Sequence, residues 1–229
     1  MNRAIVAIVV LVTAFLAAAP VRAQIVIDGT RDAGYLATRW IQGVPTSAGD
    51  NAQAGVPAPG DPQSVTTGAE FKIPLSALGN PTLTTHLRLA GLIVSSDYVQ
   101  ASNQVVGSLL CDATALGPTR GVRFDLLGSP TSNKQFVVIG AGKDEPPPVI
   151  DGTLDAGYGA PLFLQAASAE WGDSTSGQLD YAPASEIDAV YVVRTLTDLY
   201  VFVAGNLSTD LSRLVLFFDS KGAGGQNQL

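Results

Sequence analysis

The chain has 229 residues, with 13 Lys or Arg, 20 Asp or Glu and one His, so its formal net charge at pH 7 is −7. This acidity argues against nucleic acid and anionic lipid as partners, because both bind basic surfaces. A single cysteine, Cys111, leaves the chain without an internal disulfide. The apolar residues before Cys111 predict a small buried side chain rather than a reactive thiol.

Residues 1–23 have the features of a Sec-type secretory signal peptide. Arg3 precedes an uncharged apolar run over Ala4–Ala19, and Val21-Arg22-Ala23 supplies small residues for a cleavage site. The run has 16 residues, fewer than the ~20 needed to cross a bilayer, so a membrane anchor is the less favoured alternative. Cleavage would leave 206 residues with a net charge of −9 and no further membrane span, which predicts a secreted, extracellular or cell-surface protein.

A segment of ten residues occurs twice in the chain. Val26–Tyr35 reads VIDGTRDAGY and Val149–Tyr158 reads VIDGTLDAGY, so nine of ten positions are identical at an offset of 123 residues. Chance does not produce such a match, and we therefore predict two related units, each beginning at one copy. The first unit takes residues 24–141 and the second takes residues 149–229. Residues 142–148 form a stiff, proline-rich linker between them.

Composition and patterning predict β structure throughout. The chain has 24 Gly and 14 Pro, sparse charge and no long segment with a helical period. Short apolar runs between turn residues are typical of a sandwich or jelly roll. Residues 43–69 are expected to form a long loop, and Leu75–Gly79 a helical turn closed by Gly79. Strands are predicted in chain order at 24–27, 36–41, 70–73, 86–94, 105–110, 122–126, 135–139, 162–166, 189–194, 199–204 and 214–219.

Both units contain segments that resemble a known class of domain. Those of the second unit are Ile150–Gly159, Leu199–Leu207, Leu216–Ser220 and Gly224–Asn227, and those of the first are Glu70–Gly79, Ser102–Gln104 and Gln135–Val138. Through them the chain resembles bacterial secreted domains related to family 9 carbohydrate-binding modules and DOMON domains. The resemblance implies an all-β, antiparallel, jelly-roll-like β-sandwich, a bacterial source and a non-catalytic extracellular module that binds a glycan.

The resemblance covers complementary halves, which leaves two interpretations open. The first unit shows an opening strand and a late half, and the second shows an opening strand and an early half. In one interpretation the first unit has lost its middle and the second is truncated at Leu229. In the other, strands from 149–229 and 70–139 pair in permuted order and complete one sandwich, which avoids two half-sandwiches with exposed apolar edges.

Residue types argue against several catalytic and cofactor sites. His86 is the only histidine, so a zinc site of ordinary composition is not expected. Haem-binding DOMON members use Met and His as ligands, but Met1 is the only methionine here and leaves with the signal peptide, so no haem is expected. Gly172-Asp173-Ser174 is similar to an esterase nucleophile turn, yet no histidine follows it. We therefore predict that the protein is not an enzyme.

Acid pairs in the two repeats are candidates for calcium. Asp28 with Asp32, and Asp151 with Asp155, supply carboxylate oxygens near glycine, as calcium loops do. The favoured alternative is that Asp28 and Asp151 bond to backbone N–H groups in turns, as Asp does before Gly. Glycoside hydrolysis is disfavoured, because turn spacing does not place two carboxylates across a sugar. No cofactor is expected, with calcium as the open alternative.

Tryptophan side chains are the candidates for sugar binding, because the resemblance implies stacking of indole faces on a pyranose. Trp171, with Asp173 in the same apparent loop, is the better candidate, and Trp40 is the other. Packing of Trp171 in the core or at an edge is the favoured alternative. An exposed Trp171 ringed by Asp or Asn would favour a glycan-binding module. A packed Trp171 would favour a structural or adhesive surface domain without a small-molecule ligand.

Overall fold

Nine β-strands and no α-helix are present in the residues that the computed structural model describes, which are 47, 62–107, 117–119, 135–142, 144–167, 169–171, 185–208 and 212–220. All of them belong to one compact unit, Trp40–Leu229. The strands are β1 (Gly68–Pro74), β2 (Leu87–Val94), β3 (Gln100–Val106), β4 (Gly117–Pro118), β5 (Val137–Ile139), β6 (Phe163–Leu164), β7 (Glu186–Arg194), β8 (Asp198–Asn206) and β9 (Arg213–Asp219). None of the helical segments in these ranges is long and apolar enough to traverse a membrane.

These strands form two antiparallel sheets, which confirms the predicted all-β sandwich class. The first sheet has the order β1-β8-β7-β6. The second has the order β4-β3-β2-β5, and β9 also pairs with β2. Leu89 of β2 pairs with Val137 of β5 and with Phe218 of β9, so those two strands lie on opposite sides of β2. In this part of the chain β9 is therefore an edge strand of the second sheet.

Each sheet combines strands from both sides of the linker. β1 pairs with β8 over seven positions, from Gly68↔Ala204 to Pro74↔Asp198. β2 pairs with β9 over seven positions, from Arg88↔Asp219 to Val94↔Arg213. The two halves thus pair within single sheets, as the permuted interpretation requires. The common origin of the two halves stays a prediction.

The core lies between the two sheets. Leu89 and Ile93 on β2 pack in one apolar cluster with Val201 and Val203 on β8, and all four side chains are at most 3% exposed. These residues recur at every second position, because alternate side chains of a strand point to the same face. At roughly 1.5–3 kcal/mol for each fully buried aliphatic side chain, this cluster is a main source of folding free energy.

The second copy of the repeated segment covers the outer face of the first sheet. Ile150 and Leu154 are partly buried and pack against a cluster that contains Tyr158, Tyr191 and Phe202. The ring centroids of Tyr158 and Phe202 are 5.9 Å apart, and those of Tyr158 and Tyr191 are 6.4 Å apart. Separations of this size are typical of packed aromatic pairs. The repeated segment therefore has a structural role in this copy, while Val26–Tyr35 lies outside the described residues.

The predicted loop before β1 ends earlier than expected, and the predicted turn after β1 is present. The long loop predicted over 43–69 is wrong at its end, since β1 begins at Gly68 and Val65 and Thr67 are buried before it. A Cβ at Gly68 would lie 2.0 Å from the carbonyl oxygen of Val203, so only glycine allows this pairing. The turn at Leu75 is confirmed as a 3-10 helix closed by Gly79 at φ 80°. The strands predicted at 24–27, 36–41 and 122–126 lie outside the described residues, as does Cys111.

Candidate functional site

Glu70 is the anchor of the repeated segment on the first sheet. Its side chain lies on the outer face of β1, opposite to the face of Phe71 and Ile73. Oε2 accepts hydrogen bonds from the backbone N–H groups of Asp151 at 3.0 Å and Gly152 at 3.1 Å, and Oε1 accepts one from the hydroxyl of Tyr158 at 2.8 Å. Only 8% of the residue is exposed, so these three donors replace water around a buried carboxylate.

The environment of Tyr158 raises the pKa of its hydroxyl well above the ordinary value of 10.0. The chief cause is burial of the side chain, and the second is the hydrogen bond that the hydroxyl donates to Glu70. Burial disfavours the phenolate, and a neighbouring carboxylate would repel it. The hydroxyl therefore remains a donor at neutral pH. The hydrogen bond between Tyr158 and Glu70 fastens the segment to the sheet.

Asp151 and Asp155 each bond to a backbone N–H in the segment. Oδ1 of Asp151 accepts from Thr153 at 2.8 Å, and Oδ2 of Asp155 accepts from Val149 at 2.6 Å. The bond to Asp151 is of the turn type that the sequence favoured over calcium, whereas the donor to Asp155 lies six positions before it. Within the described ranges no group of three or more His, Cys, Asp or Glu is arranged to hold a metal ion. Calcium binding stays a prediction, and Asp28 and Asp32 lie outside the described residues.

Trp171 is partly buried and packs against the core cluster between the sheets. The backbone N–H of Glu170, the residue before it, donates to Oδ1 of Asn103 at 3.1 Å, which fixes the chain next to β3. The indole is therefore both packed against the core and partly exposed, and its role in sugar binding stays a prediction. The other two candidates for sugar binding, Asp173 and Trp40, lie outside the described residues.

A buried amide network beside Trp171 joins the two sheets. Gln104 on β3 is 0% exposed; its Oε1 accepts from the backbone N–H of Ile187 on β7 at 3.0 Å. Its Nε2 donates to the carbonyl oxygen of Ala167 at 3.2 Å and to Oδ1 of Asn103 at 3.2 Å. Gln165 adds a weaker bond from Nε2 to the carbonyl oxygen of Val105 at 3.4 Å. The middle of β3, Ser102-Asn103-Gln104, is polar, so its residue types give no signal that these amides are buried.

An exposed aromatic residue at the tip of the β2–β3 hairpin was also missed. Tyr98 is 41% exposed and has φ 58°, a left-handed conformation that is uncommon for a residue with a bulky side chain. The guanidinium of Arg213 lies 5.1 Å from the ring centroid. Asp97 accepts from the Ser95 hydroxyl and the Val99 N–H, and these bonds, chiefly the first, lower the pKa of Asp97. The tip of the hairpin thus presents the aromatic ring of Tyr98 next to the charged side chains of Arg213 and Asp97.

A groove of about 430 Å³ lies between the residues after β5 and the residues after the repeated segment. Four of the residues that line it are glycines, and the exposed residue Glu145 is also part of the lining. Arg194 and Tyr158 contribute further polar side chains. Both are engaged within the fold, Arg194 with the carbonyl oxygens of Thr85, Pro81 and Thr82 at 2.7–3.0 Å, and Tyr158 with Glu70. The groove therefore offers a ligand the side chain of Glu145, while Arg194 and Tyr158 are already engaged within the fold.

Comparison of the chain with protein-family models, with curated proteins and with solved structures gives no match. The resemblance to family 9 carbohydrate-binding modules and DOMON domains stays a prediction from the sequence. His86, expected at a strand start, is exposed and immediately precedes β2.

Proposed function

We propose that the protein is a secreted, non-catalytic β-sandwich that serves as a structural or adhesive domain of the bacterial cell surface. The observation that carries the proposal is the packing of Trp171 against the core. A glycan-binding role for Trp171 would need an exposed indole face, since a sugar ring stacks on that face. The signal-peptide features of residues 1–23 support secretion.

The polar groups of the fold support the same proposal. The Glu70 carboxylate bonds to the repeated segment, and the Gln104 amide bonds across the two sheets. Asp151 and Asp155 bond to backbone N–H groups. Buried or engaged groups of this kind specify one fold and contribute little recognition of a small molecule. Polar residues used in this way stabilise one fold, as a structural or adhesive domain requires.

Thermal unfolding of the purified protein with a panel of soluble glycans tests the proposal. A ligand that binds the native state raises the melting temperature, by an amount equivalent to about 2.7 kcal/mol at a hundredfold excess over its Kd. We expect no glycan to raise it, with or without calcium. A saturable rise with one glycan that Trp171→Phe abolishes would contradict the structural role, provided that Trp171→Phe melts cooperatively without ligand.

A glycan-binding module remains the second proposal, and the exposed ring of Tyr98 favours it. The ring of Tyr98 offers a face on which a sugar can stack. The guanidinium of Arg213 lies over the same ring, and Asp97 precedes Tyr98 in the loop. In that case a glycan should raise the melting temperature of the unmodified protein and not that of Tyr98→Ala. Val99→Ala, at the equally exposed neighbouring position, serves as the control and should keep the response.

A further inference from the structure

We propose that the surface around Glu70 is a docking site for the repeated sequence itself, and that the first copy, Val26–Tyr35, competes with the second copy for this one site. In the structure the second copy, Val149–Tyr158, occupies the site. The first copy shares nine of its ten residues with the second. Two segments that offer nearly the same groups to one site occupy it in proportion to their relative affinities.

The groups that hold the second copy on Glu70 are present in both copies. Glu70 accepts hydrogen bonds from the backbone N–H groups of Asp151 at 3.0 Å and Gly152 at 3.1 Å. It also accepts one from the hydroxyl of Tyr158 at 2.8 Å. The first copy has the same residue types at these positions, Asp28, Gly29 and Tyr35. Every donor that the Glu70 carboxylate uses is therefore offered a second time by the same chain.

The two copies differ only at Leu154, where the first copy has Arg31. Leu154 is partly buried and packs against the cluster that contains Tyr191 and Phe202. An arginine there would lose part of this apolar contact, which weakens docking. Its backbone N–H could still donate to the carbonyl oxygen of Thr66, as the N–H of Leu154 does at 2.8 Å. The first copy is therefore a weaker ligand of the same kind, which agrees with occupancy by the second copy.

The chain that follows the first copy lies beside the site. Oγ of Ser47 accepts hydrogen bonds from the backbone N–H groups of Thr66 at 2.7 Å and Thr67 at 3.0 Å, and Thr67 forms a β-bridge to the second copy. Ser47 lies 12 positions after Tyr35, and a chain of that length reaches roughly 40 Å when extended. Glu70 lies only roughly 10 Å further along the strand from Thr67. The first copy can therefore reach Glu70 of its own chain, where a short tether gives it a high effective concentration.

Hydrogen–deuterium exchange of the purified protein, read by mass spectrometry, tests the proposal because it reports on the two copies separately. The test protein carries Arg31→Leu, which gives the first copy the sequence of the second, together with Gly152→Ala. Gly152 has φ 79°, and alanine in this left-handed conformation should weaken docking of the second copy about five- to thirtyfold. We expect residues 149–158 to lose protection and residues 26–35 to gain it. Gly29→Ala in place of Gly152→Ala is the matched control and should leave residues 149–158 protected.

Glu70→Ala, added to the test protein, distinguishes one shared site from two separate sites. It should remove the protection that residues 26–35 have gained, because both copies use the same carboxylate. Dilution by about tenfold should leave that protection unchanged, since the competing segment belongs to the same chain; a loss on dilution would overturn this assignment.

Protection of β7 and β8 checks that each variant is folded. If the Gly152→Ala protein is not, Tyr158→Phe takes its place, with Tyr35→Phe as its control. Loss of protection in residues 149–158 without any gain in residues 26–35 would overturn the proposal. A gain in residues 26–35 that persists in the Glu70→Ala protein would overturn it as well, because the first copy would then have a site of its own.

Discussion

Tyr158 donates its hydroxyl to Oε1 of Glu70 at 2.8 Å, which joins two residues that are 88 positions apart. Tyr158 ends the repeated segment, and Glu70 lies in the first strand of the sandwich. The same carboxylate holds the backbone N–H groups of Asp151 and Gly152. One acidic side chain thus attaches the start of the second half of the chain to a sheet that both halves build.

Replacing Glu70 by Ala should destabilise the protein by about 2–4 kcal/mol, because it leaves two backbone N–H groups and the Tyr158 hydroxyl without their acceptor. Urea unfolding measures the change. Glu70→Gln is the matched control; it keeps an acceptor for the backbone groups and offers an amide donor to the hydroxyl. We expect it to lose only about 1 kcal/mol. Equal losses for the two variants would show that packing, rather than hydrogen bonding, explains the effect.

Stability should fall as the pH rises above about 10, in part through Tyr158. Its pKa is raised in the folded protein above the ordinary value of 10.0, so above that value the unfolded chain ionises while the folded one keeps its proton. Stability from this group is therefore complete below pH 10 and is lost as the pH rises, by up to about 1.4 kcal/mol per pH unit.

Tyr158→Phe tests that dependence. The variant should be less stable than the unmodified protein at pH 8 by about 1 kcal/mol, since Glu70 loses one donor. Its unfolding free energy should also fall less steeply between pH 9.5 and 11, a range set by the ordinary tyrosine value near 10. The two proteins differ only at this position, so the difference between their pH dependences reports on Tyr158. An equally steep fall of the unfolding free energy with pH in the two proteins would contradict the raised pKa of Tyr158.

Strands that are apolar along most of their length were predictable from sequence, and buried polar contacts were not. Leu199–Ala204 and Leu214–Asp219 were predicted within two residues of β8 and β9, because apolar side chains mark them throughout. β3 was misplaced at 105–110, because its middle is Ser102-Asn103-Gln104. A buried amide cannot be told from an exposed one by sequence pattern alone; its burial depends on partners such as Ile187 that are 83 positions away.

At the candidate site, too, local motifs could be found from the sequence and long-range contacts could not. The repeated segment was found from sequence, and the bond from the N–H of Thr153 to Asp151 follows from an Asp placed before Gly. The acceptor that fastens the segment, Glu70, carries no local signal, since an acid on one face of a strand is ordinarily solvated. Tyr98 was missed because its exposure depends on the hairpin geometry rather than on its neighbours in sequence.

The Gln104 network should contribute measurably to the junction of the two sheets. Gln104→Leu keeps the approximate volume and leaves the Ile187 N–H and the Ala167 carbonyl oxygen without their partner. We expect a loss of about 2–3 kcal/mol in urea unfolding. Gln100→Leu, at the exposed start of the same strand, is the control and should change stability by less than about 0.5 kcal/mol. A Gln104→Leu protein as stable as the control would show that this network contributes no net stability.

Arg194 makes a second junction between the sheets, on β7. It is 4% exposed, and its guanidinium donates to the carbonyl oxygens of Thr85, Pro81 and Thr82, in the turn that leads into β2. Burial lowers the pKa of this guanidinium, yet arginine stays charged at any ordinary pH. The carbonyl dipoles therefore replace water around a buried charge.

Arg194→Lys should cost about 2–4 kcal/mol, because one ammonium cannot reach three carbonyl oxygens that a planar guanidinium spans, and the unmatched oxygens stay buried. Arg88→Lys is the matched control on β2; the Arg88 side chain is 45% exposed, so its pair with Asp219 contributes at most about 1 kcal/mol. Urea unfolding of both variants gives the comparison. Equal stability of the Arg194→Lys and Arg88→Lys proteins would mean that the turn before β2 holds its place without the guanidinium of Arg194.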